Sequence, residues 1–355
     1  MKILITGICG FVGSTLAREI RQQGLQWELV GIDNLSRRGS ELNIAELHSL
    51  GVQFFHGDLR NESDVDSLPG VDWVFDAAAN PSVLAGADGK SSTRQVMEHN
   101  LVGTINLLEK CRRDTAGFIL LSTSRVYSIP PLSNLPVTIE NDAFTIDLTR
   151  PVPSGISAAG INESFSTNTP VSLYGASKLA SETIALEYGD LGKFPVWINR
   201  CGVMAGAGQF GRADQGIFAY WINAYLRRKP LRYIGFDGLG HQVRDCLHPR
   251  DLIPLLTQQM NDKLDSTKPR VCNVSGGISS AVSLRQLSQW CSERFGEHPI
   301  ASDPAPRTYD LPWVVLNHQL ATKTWNWNPI TTVQEVLNEI AEHAIKHPNW
   351  RLLSA

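Results

Sequence analysis

Residues 2–20 read KILITGICGFVGSTLAREI. The first five, KILIT, are almost continuously apolar and rich in β-branched side chains, as a strand buried on both faces should be. From Phe11 onward the apolar residues recur at helical spacing. Between strand and helix stand Gly7, Gly10 and Gly13. Gly7 can make a tight turn, Gly10 lets backbone approach a pyrophosphate, and Gly13 permits close helix–strand packing. The first helical residues, Phe11 and Val12, then turn unpaired N–H groups and a positive dipole end toward that anion. A glycine trio by itself is compatible with a plain turn; a second residue, at a fixed distance, would tie it to a dinucleotide.

Asp33 supplies it. It ends the next strand-like run, ELVGID (28–33), about 20 residues past Gly13, where a carboxylate would accept hydrogen bonds from an adenosine ribose. Its charge would repel a 2′-phosphate, which points to NAD rather than NADP; Arg37 and Arg38 keep the second open. Asn34 follows directly. Asp58 and Leu59, in HGDLR at the end of a third run, are placed to meet the adenine, and Ala77, Ala78 and Ala79 close a fourth.

The same rhythm extends outward. VQFFHGD (52–58), VDWVFDAAA (71–79), GFILLSTS (117–124) and FPVWINR (194–200) read as strands, and about 11–23, 40–50, 92–113 and 174–189 read as helices. Strand and helix alternating this often imply right-handed crossovers and one parallel sheet. The fold class expected is doubly wound α/β, a parallel Rossmann sheet with a smaller C-terminal α/β substrate lobe. The larger domain would take residues 1–200 plus about 243–273, and the substrate lobe about 201–242 and 274–355. Residues 128–173, rich in Pro, Ser, Thr and Asn, exceed ordinary loop length and suggest a flap-like insertion beside the site; a surface excursion is the alternative.

Composition removes several classes of function. Thirty-two Lys+Arg against 35 Asp+Glu leave a formal net charge of -3 over 355 residues, with no basic excess to neutralise a phosphate backbone, so nucleic acid is not an expected partner. No apolar run reaches the roughly 18 residues of a membrane span, and the N-terminus lacks a secretory cleavage pattern, so no membrane association is expected. The six cysteines are scattered without a CxxC pair, which suits neither a disulfide framework nor a metal site and fits a reducing cytoplasm. Cys9 lies in the glycine loop without a neighbouring His and reads as an inert buried thiol.

Tyr174 and Lys178, in YGASK, stand four residues apart on one helix face. A tyrosine titrates near pH 10 in water, and a fixed cation beside it would make the phenolate a usable base. Tyr225 and Lys229 share the spacing but fall in a basic helix, and read as a solvated face. What distinguishes Tyr174 is the strand ending in Ser122, Thr123 and Ser124: hydroxyls at the carboxyl end of a parallel strand face the ligand crevice.

These residues, with Asn100 in HNLVGTINLLE (99–109) and Val126-Tyr127 after the strand, together resemble the extended short-chain dehydrogenase/reductase superfamily of NAD-dependent epimerases and dehydratases. The resemblance continues through GHQVRDCLHPRDL (240–252), CNVSGG (272–277) and PRTYDLPW (306–313), covering nearly the whole chain. TGICGFVGS, DNLSRRG, GDLRN, YGASKLASE and QFGRADQG look most like the CDP-paratose 2-epimerase branch. The resemblance implies that Tyr174 is the base, Lys178 its electrostatic partner and ribose ligand, and Thr123 the hydroxyl that aligns the sugar. It implies that Asn100 borders the cofactor, that Ser124, Gln209 and Asp214 lie along the substrate, and that Arg244 and Arg307 clamp a nucleotide-sugar diphosphate. It also implies a homodimer or homotetramer paired through the Tyr174 helix and its neighbour.

Dehydratase relatives carry an Asp-Glu pair after the catalytic Thr, and decarboxylating relatives a Glu nearby. Here those positions are Ser124 and Arg125, which supply no carboxylic acid. Epimerisation of a nucleotide sugar, with a CDP-sugar favoured, is therefore the expected reaction. A nucleotide-sugar 4-epimerase and an NAD-dependent nucleotide-sugar oxidoreductase remain alternatives, and a non-catalytic NAD-binding sensor is a distant one. Ser128, Val203, Ala205 and Asn317 depart from the residues usual in relatives, which leaves the sugar open.

Overall fold

The computed structural model describes residues 1–87, 92–211, 215–262 and 267–350. Seven strands form the main sheet: β1 (Lys2–Thr6), β2 (Glu28–Asp33), β3 (Val52–His56), β4 (Trp73–Asp76), β5 (Gly117–Thr123), β6 (Val196–Cys201) and β7 (Val271–Val274). They lie in the order β7-β6-β5-β4-β1-β2-β3, all parallel. The order reverses at β1, so the carboxyl ends of β1 and β4 border a crevice in which such sheets bind ligands.

Among the described residues, seven helices of ten or more residues complete the frame: α1 (Phe11–Gln22), α2 (Gly103–Asp114), α3 (Ser172–Gly192), α4 (Ile217–Leu226), α5 (Leu252–Asn261), α6 (Leu284–Phe295) and α7 (Val333–Lys346). Alternation along each strand divides the core in two. Ile3 and Ile5 of β1 and Trp197 of β6 pack with Leu16 and Ile20 of α1 and Leu252 and Leu256 of α5. Leu4, Val196 and Ile198 point the other way, toward Leu107 and Leu108 of α2 and Ala185 of α3.

Strand and helix positions follow the apolar periodicity closely, with three differences. The helix expected over 40–50 is a 3-10 turn (Ser40–Asn43) continuing into a short α-helix (Ile44–Ser49). The helix expected over 92–113 is interrupted by a π-turn at Glu98–Val102, which carries Asn100. Val243–Leu247, grouped with the larger domain on sequence, pairs instead with Val203–Met204, Ala281–Ser283 and Trp313–Val314 in a second sheet. The buried Asp245 carboxylate holds it there by accepting the Val203 and Leu316 N–H groups and the Ser275 hydroxyl.

Residues 128–173 contain a short helix (Ile129–Ser133) and two hairpins, Val137–Glu140 with Ala143–Ile146 and Ile156–Ser157 with Gly160–Ile161. Leu132, Leu135, Ile146, Ile161 and Phe165 from this segment share one apolar core with Trp313–Leu316. Its backbone is tied in by Phe144 N–H to His241 O (2.8 Å) and Ile161 N–H to Val315 O (2.8 Å). Among the described residues, no helix is long and apolar enough to cross a membrane.

Candidate active site

The glycine loop leaves no room for side chains. Gly7 has a φ of +60°, and a Cβ on Gly13 would stand 2.4 Å from the Gly7 carbonyl oxygen. Gly10 caps α1 without a side-chain partner, so the first-turn N–H groups of Phe11 and Val12 open at the carboxyl edge of the sheet. Asp33 lies against this loop: its carboxylate accepts the N–H of Cys9 at 3.0 Å and of Leu35 at 2.8 Å. Burial pushes its pKa up while those backbone bonds pull it down. Burial and the Asp33 charge raise the Cys9 thiol to about 12, which removes it as a nucleophile.

The other cofactor candidates border the same crevice. The Arg60 guanidinium and the Asn34 amide hold the Asp58 carboxylate, at 2.7–3.0 Å, well below the usual carboxylate range. Leu59 lies beside Gly103 at the start of α2. Thr6 Oγ1 accepts the N–H groups of Ala77 (3.1 Å) and Ala78 (2.9 Å) and donates to Asp76 at 2.7 Å, shaping the β4 terminus that leads to Ala79. Asn100 is spent on structure: its amide donates to Ser177 Oγ (2.9 Å) and Asn80 O (3.1 Å), and its carbonyl accepts Asn80 N–H. The π-turn thus anchors α3 to the cofactor edge. Arg37 turns toward the second lobe, donating to Phe210 O at 2.6 Å and Gln215 Oε1 at 3.3 Å.

Thr123, Tyr174 and Lys178 come together where β5 meets α3. Gly175 makes the approach possible, because a Cβ there would lie 2.2 Å from the Arg125 carbonyl oxygen. The Thr123 hydroxyl oxygen accepts the Arg125 N–H at 3.2 Å, and the Thr123 hydroxyl faces the Tyr174 phenol and favours its ionised form. Burial raises the Tyr174 phenol, opposed by Thr123 and by the Arg125 charge. Lys178, 1% exposed, is pushed down by burial and faces the carboxylates of Asp76 and Glu182. Among the described groups, the cation whose charge acts on the phenol is Arg125, while Lys178, expected to act on it together with the nicotinamide's positive charge, faces Asp76 and Glu182. Behind them, Glu182 pairs with Arg200 at 2.7 Å and accepts from Ser122, and Tyr127 donates to Asn273 at 2.6 Å.

A cavity of about 170 Å³ adjoins this group, lined by Arg125, Arg244, Arg307, Asp310, Val203 and Gln215. Arg244 donates to Asp310 Oδ1 at 3.0 Å and to Leu311 O at 2.9 Å. Arg125 donates to Tyr309 O at 3.2 Å; burial, then the like charge of Arg244, lowers its pKa to about 10. Ser124 is buried in the short 3-10 turn after β5. Gln209 does not line the cavity: its amide donates to Met204 O at 2.8 Å, and its Oε1 is buried without a partner. Asp214 lies outside the described residues. A larger cleft of about 810 Å³ opens behind α1, lined by residues such as Arg18, His248, Arg250 and Trp350, and contains none of the candidate catalytic groups.

Sequence reasoning missed Arg125 as a site residue, having used it only to exclude an acid. Its position two residues past Thr123 was the available signal. Tyr225 was misread: it is buried in the second-lobe core, with Arg228 packed over its ring at 6.0 Å.

Fold and site together define a dinucleotide-binding α/β enzyme with a threonine, tyrosine and lysine at the carboxyl end of its sheet. Residues 3–275 match the model of the NAD dependent epimerase/dehydratase family, and the chain belongs to that family. CDP-paratose 2-epimerase of Salmonella typhi is 29% identical over 358 residues, covering 94% of this chain and 96% of that protein. An uncharacterised UDP-glucose epimerase of Bacillus subtilis (strain 168) is 28% identical, covering 96% and 97%. The solved UDP-glucose 4-epimerase of Thermotoga maritima, with UDP-glucose, superposes with a TM-score of 0.75 at 22% identity over 98% of this chain and 100% of that one, a likeness of fold.

NAD is the cofactor. The residues present fit it: the cradle at Gly7 and Gly13 is one a Cβ would fill, and the buried Lys178 ammonium is set beside the cleft facing the Asp76 carboxylate.

Proposed function

We propose that this chain is a nucleotide-sugar epimerase that inverts one sugar carbon by transient oxidation and re-reduction, acting on a CDP-sugar in the manner of a CDP-paratose 2-epimerase. The observation that carries this reading is the set of groups facing Tyr174. Among the described residues, Thr123, Arg125 and Cys201 act on the phenol, and no carboxylate does. Elimination of a hydroxyl needs an acid there; removal and return of hydrogen at one carbon does not. The likeness to the Salmonella protein favours the CDP-sugar.

In this mechanism the Tyr174 phenolate takes the proton of a sugar hydroxyl, and Thr123 holds that hydroxyl against it. Bound NAD supplies a hydride acceptor and donor with no net redox change. Lys178 would hold the cofactor ribose, with the crevice residues Gly7, Gly10, Phe11, Val12, Gly13, Asp33, Asn34, Asp58, Leu59, Ala77, Ala78, Ala79 and Asn100 bordering the rest. Arg244 and Arg307 would clamp the diphosphate, a task suited to planar, always charged guanidinium groups. Tyr174 returns the proton after the flat ketone has turned its other face. We also assign a homo-oligomer, paired through α2 and α3, on which Leu173 and Leu191 are exposed; light scattering at micromolar concentration tests it.

The test of the reaction is to incubate the purified protein with CDP-, UDP-, dTDP- and GDP-sugars, with and without added NAD, and to follow epimers by NMR. A CDP-sugar epimer is expected. No epimer from any of them defeats the reading, while inversion at C4 of a UDP-sugar would move the chain to the 4-epimerases.

A further inference from the structure

We infer that Arg125 is a positioning and specificity residue that joins the two halves of the site, serving as a third cation of the diphosphate cavity and as the positive charge set beside Tyr174. The inference rests on the reading of Tyr174 as the base and of the cavity as the diphosphate site. Its support is geometric. Arg125 is fixed from both sides of its own backbone: its N–H binds the Thr123 hydroxyl at 3.2 Å, and its carbonyl abuts Gly175, the residue after Tyr174. Its side chain leaves that junction and lines the cavity with Arg244 and Arg307. Any group that seats on the guanidinium is therefore held in register with the hydroxyl pair of Thr123 and Tyr174.

Among the described residues that line the cavity, the guanidinium groups of Arg125, Arg244 and Arg307 face one carboxylate, Asp310. Asp310 pairs with Arg244 at 3.0 Å. Arg125 donates to a neutral carbonyl, Tyr309 O, and Asp310, whose charge also reaches it, spends its carboxylate on Arg244. A desolvated guanidinium with no carboxylate hydrogen-bonded to it attracts an anion, and its planar fork matches phosphate oxygens. A diphosphate bound there would be recognised two residues from the hydroxyl that aligns the sugar alcohol. The same charge opposes the burial that raises the Tyr174 phenol and favours its ionised form. A carboxylate at this position would oppose both effects.

The experiment uses the full-length protein and the variants Arg125→Gln and Arg125→Lys, with NAD content and thermal melting measured for each. Calorimetric titration with CDP and UDP is expected to show at least tenfold weaker binding in Arg125→Gln, and binding within about threefold of the parent in Arg125→Lys. In turnover, the acid limb of kcat/KM is expected to move up by about one pH unit in Arg125→Gln and to return in Arg125→Lys. Arg125→Gln binding CDP and UDP within twofold of the parent overturns the inference. So does a lost affinity with an unmoved acid limb, because a residue that only shapes the cavity would behave that way. If no nucleotide sugar is turned over, the proposed reaction fails, and the diphosphate titration still decides whether Arg125 serves the cavity.

Discussion

Tyr174 sits where removal of a single oxygen should separate chemistry from folding. Its ring packs with Ala85 and Val96, contacts a phenylalanine would keep, while its hydroxyl meets only Thr123 among the groups that set its acidity by hydrogen bonding. Tyr174→Phe is expected to retain NAD and melting temperature and to lose about 10³-fold in turnover, within the usual range for general acid–base groups. Unchanged turnover, measured beside NAD content, would remove Tyr174 from the base role. Gly175→Ala tests the junction itself. A methyl 2.2 Å from the Arg125 carbonyl must push α3 away from the end of β5, costing about 1–3 kcal/mol as overpacking does. A lower melting temperature and at least tenfold slower turnover are expected; parent-like values of both would show that α3 need not approach so closely. At this scale the glycine loop, Asp33 and the Tyr174–Lys178 spacing were legible, because each is a spacing on one element. The direction of Arg125 was not, since it depends on where Tyr309 and Arg244 arrive from far along the chain.

Between elements, one cluster ties α1 to the C-terminal helix. Arg250 donates to Glu339 on α7 at 2.6–2.7 Å and lies 3.8 Å from Glu19 on α1. His248 supports it: its Nδ1 accepts the Arg250 N–H at 3.1 Å and the Arg250 Nε–H at 2.9 Å, so that nitrogen carries no proton. His248 also stands 3.4 Å from Glu339, yet those two bonds make it a neutral ring and not the cation of an ion pair. Burial, then the Arg250 charge, lowers its pKa to about 3 from an ordinary 6.5. The folded state therefore binds fewer protons than the unfolded chain between these values, and stability falls as pH drops below about 6.5. By pH 5 the loss from this group alone is about 2 kcal/mol. Melts at pH 7.5 and 5.0 should show His248→Asn less acid-sensitive than the parent by about that amount; parallel losses would place the sensitivity elsewhere. Helices and strands were legible here through their apolar periods. The π-turn at Glu98–Val102 and the transfer of Val243–Leu247 to the second sheet were not, because the side chains of Asn100 and Asp245 decide them by bonds to distant residues.

Taken as one molecule, the protein presents a crevice at the carboxyl ends of β1, β4 and β5, with a cation-lined cavity from the second lobe closing on it. The parallel sheet was legible from the alternation of runs, and the family from motifs scattered over the whole chain. The packing of residues 128–173 against Trp313–Leu316 was not, since a stretch rich in Pro, Ser and Asn carries no period that announces a partner. The central claim is that Tyr174 moves only a hydroxyl proton while the hydrogen on carbon leaves and returns to that carbon. It is tested most directly by running the epimerisation in D₂O and reading the product by NMR. The account predicts a product that keeps protium at the inverted carbon and carries no solvent deuterium there. Deuterium at that carbon would mean that the C–H proton itself is exchanged with solvent, and would contradict it.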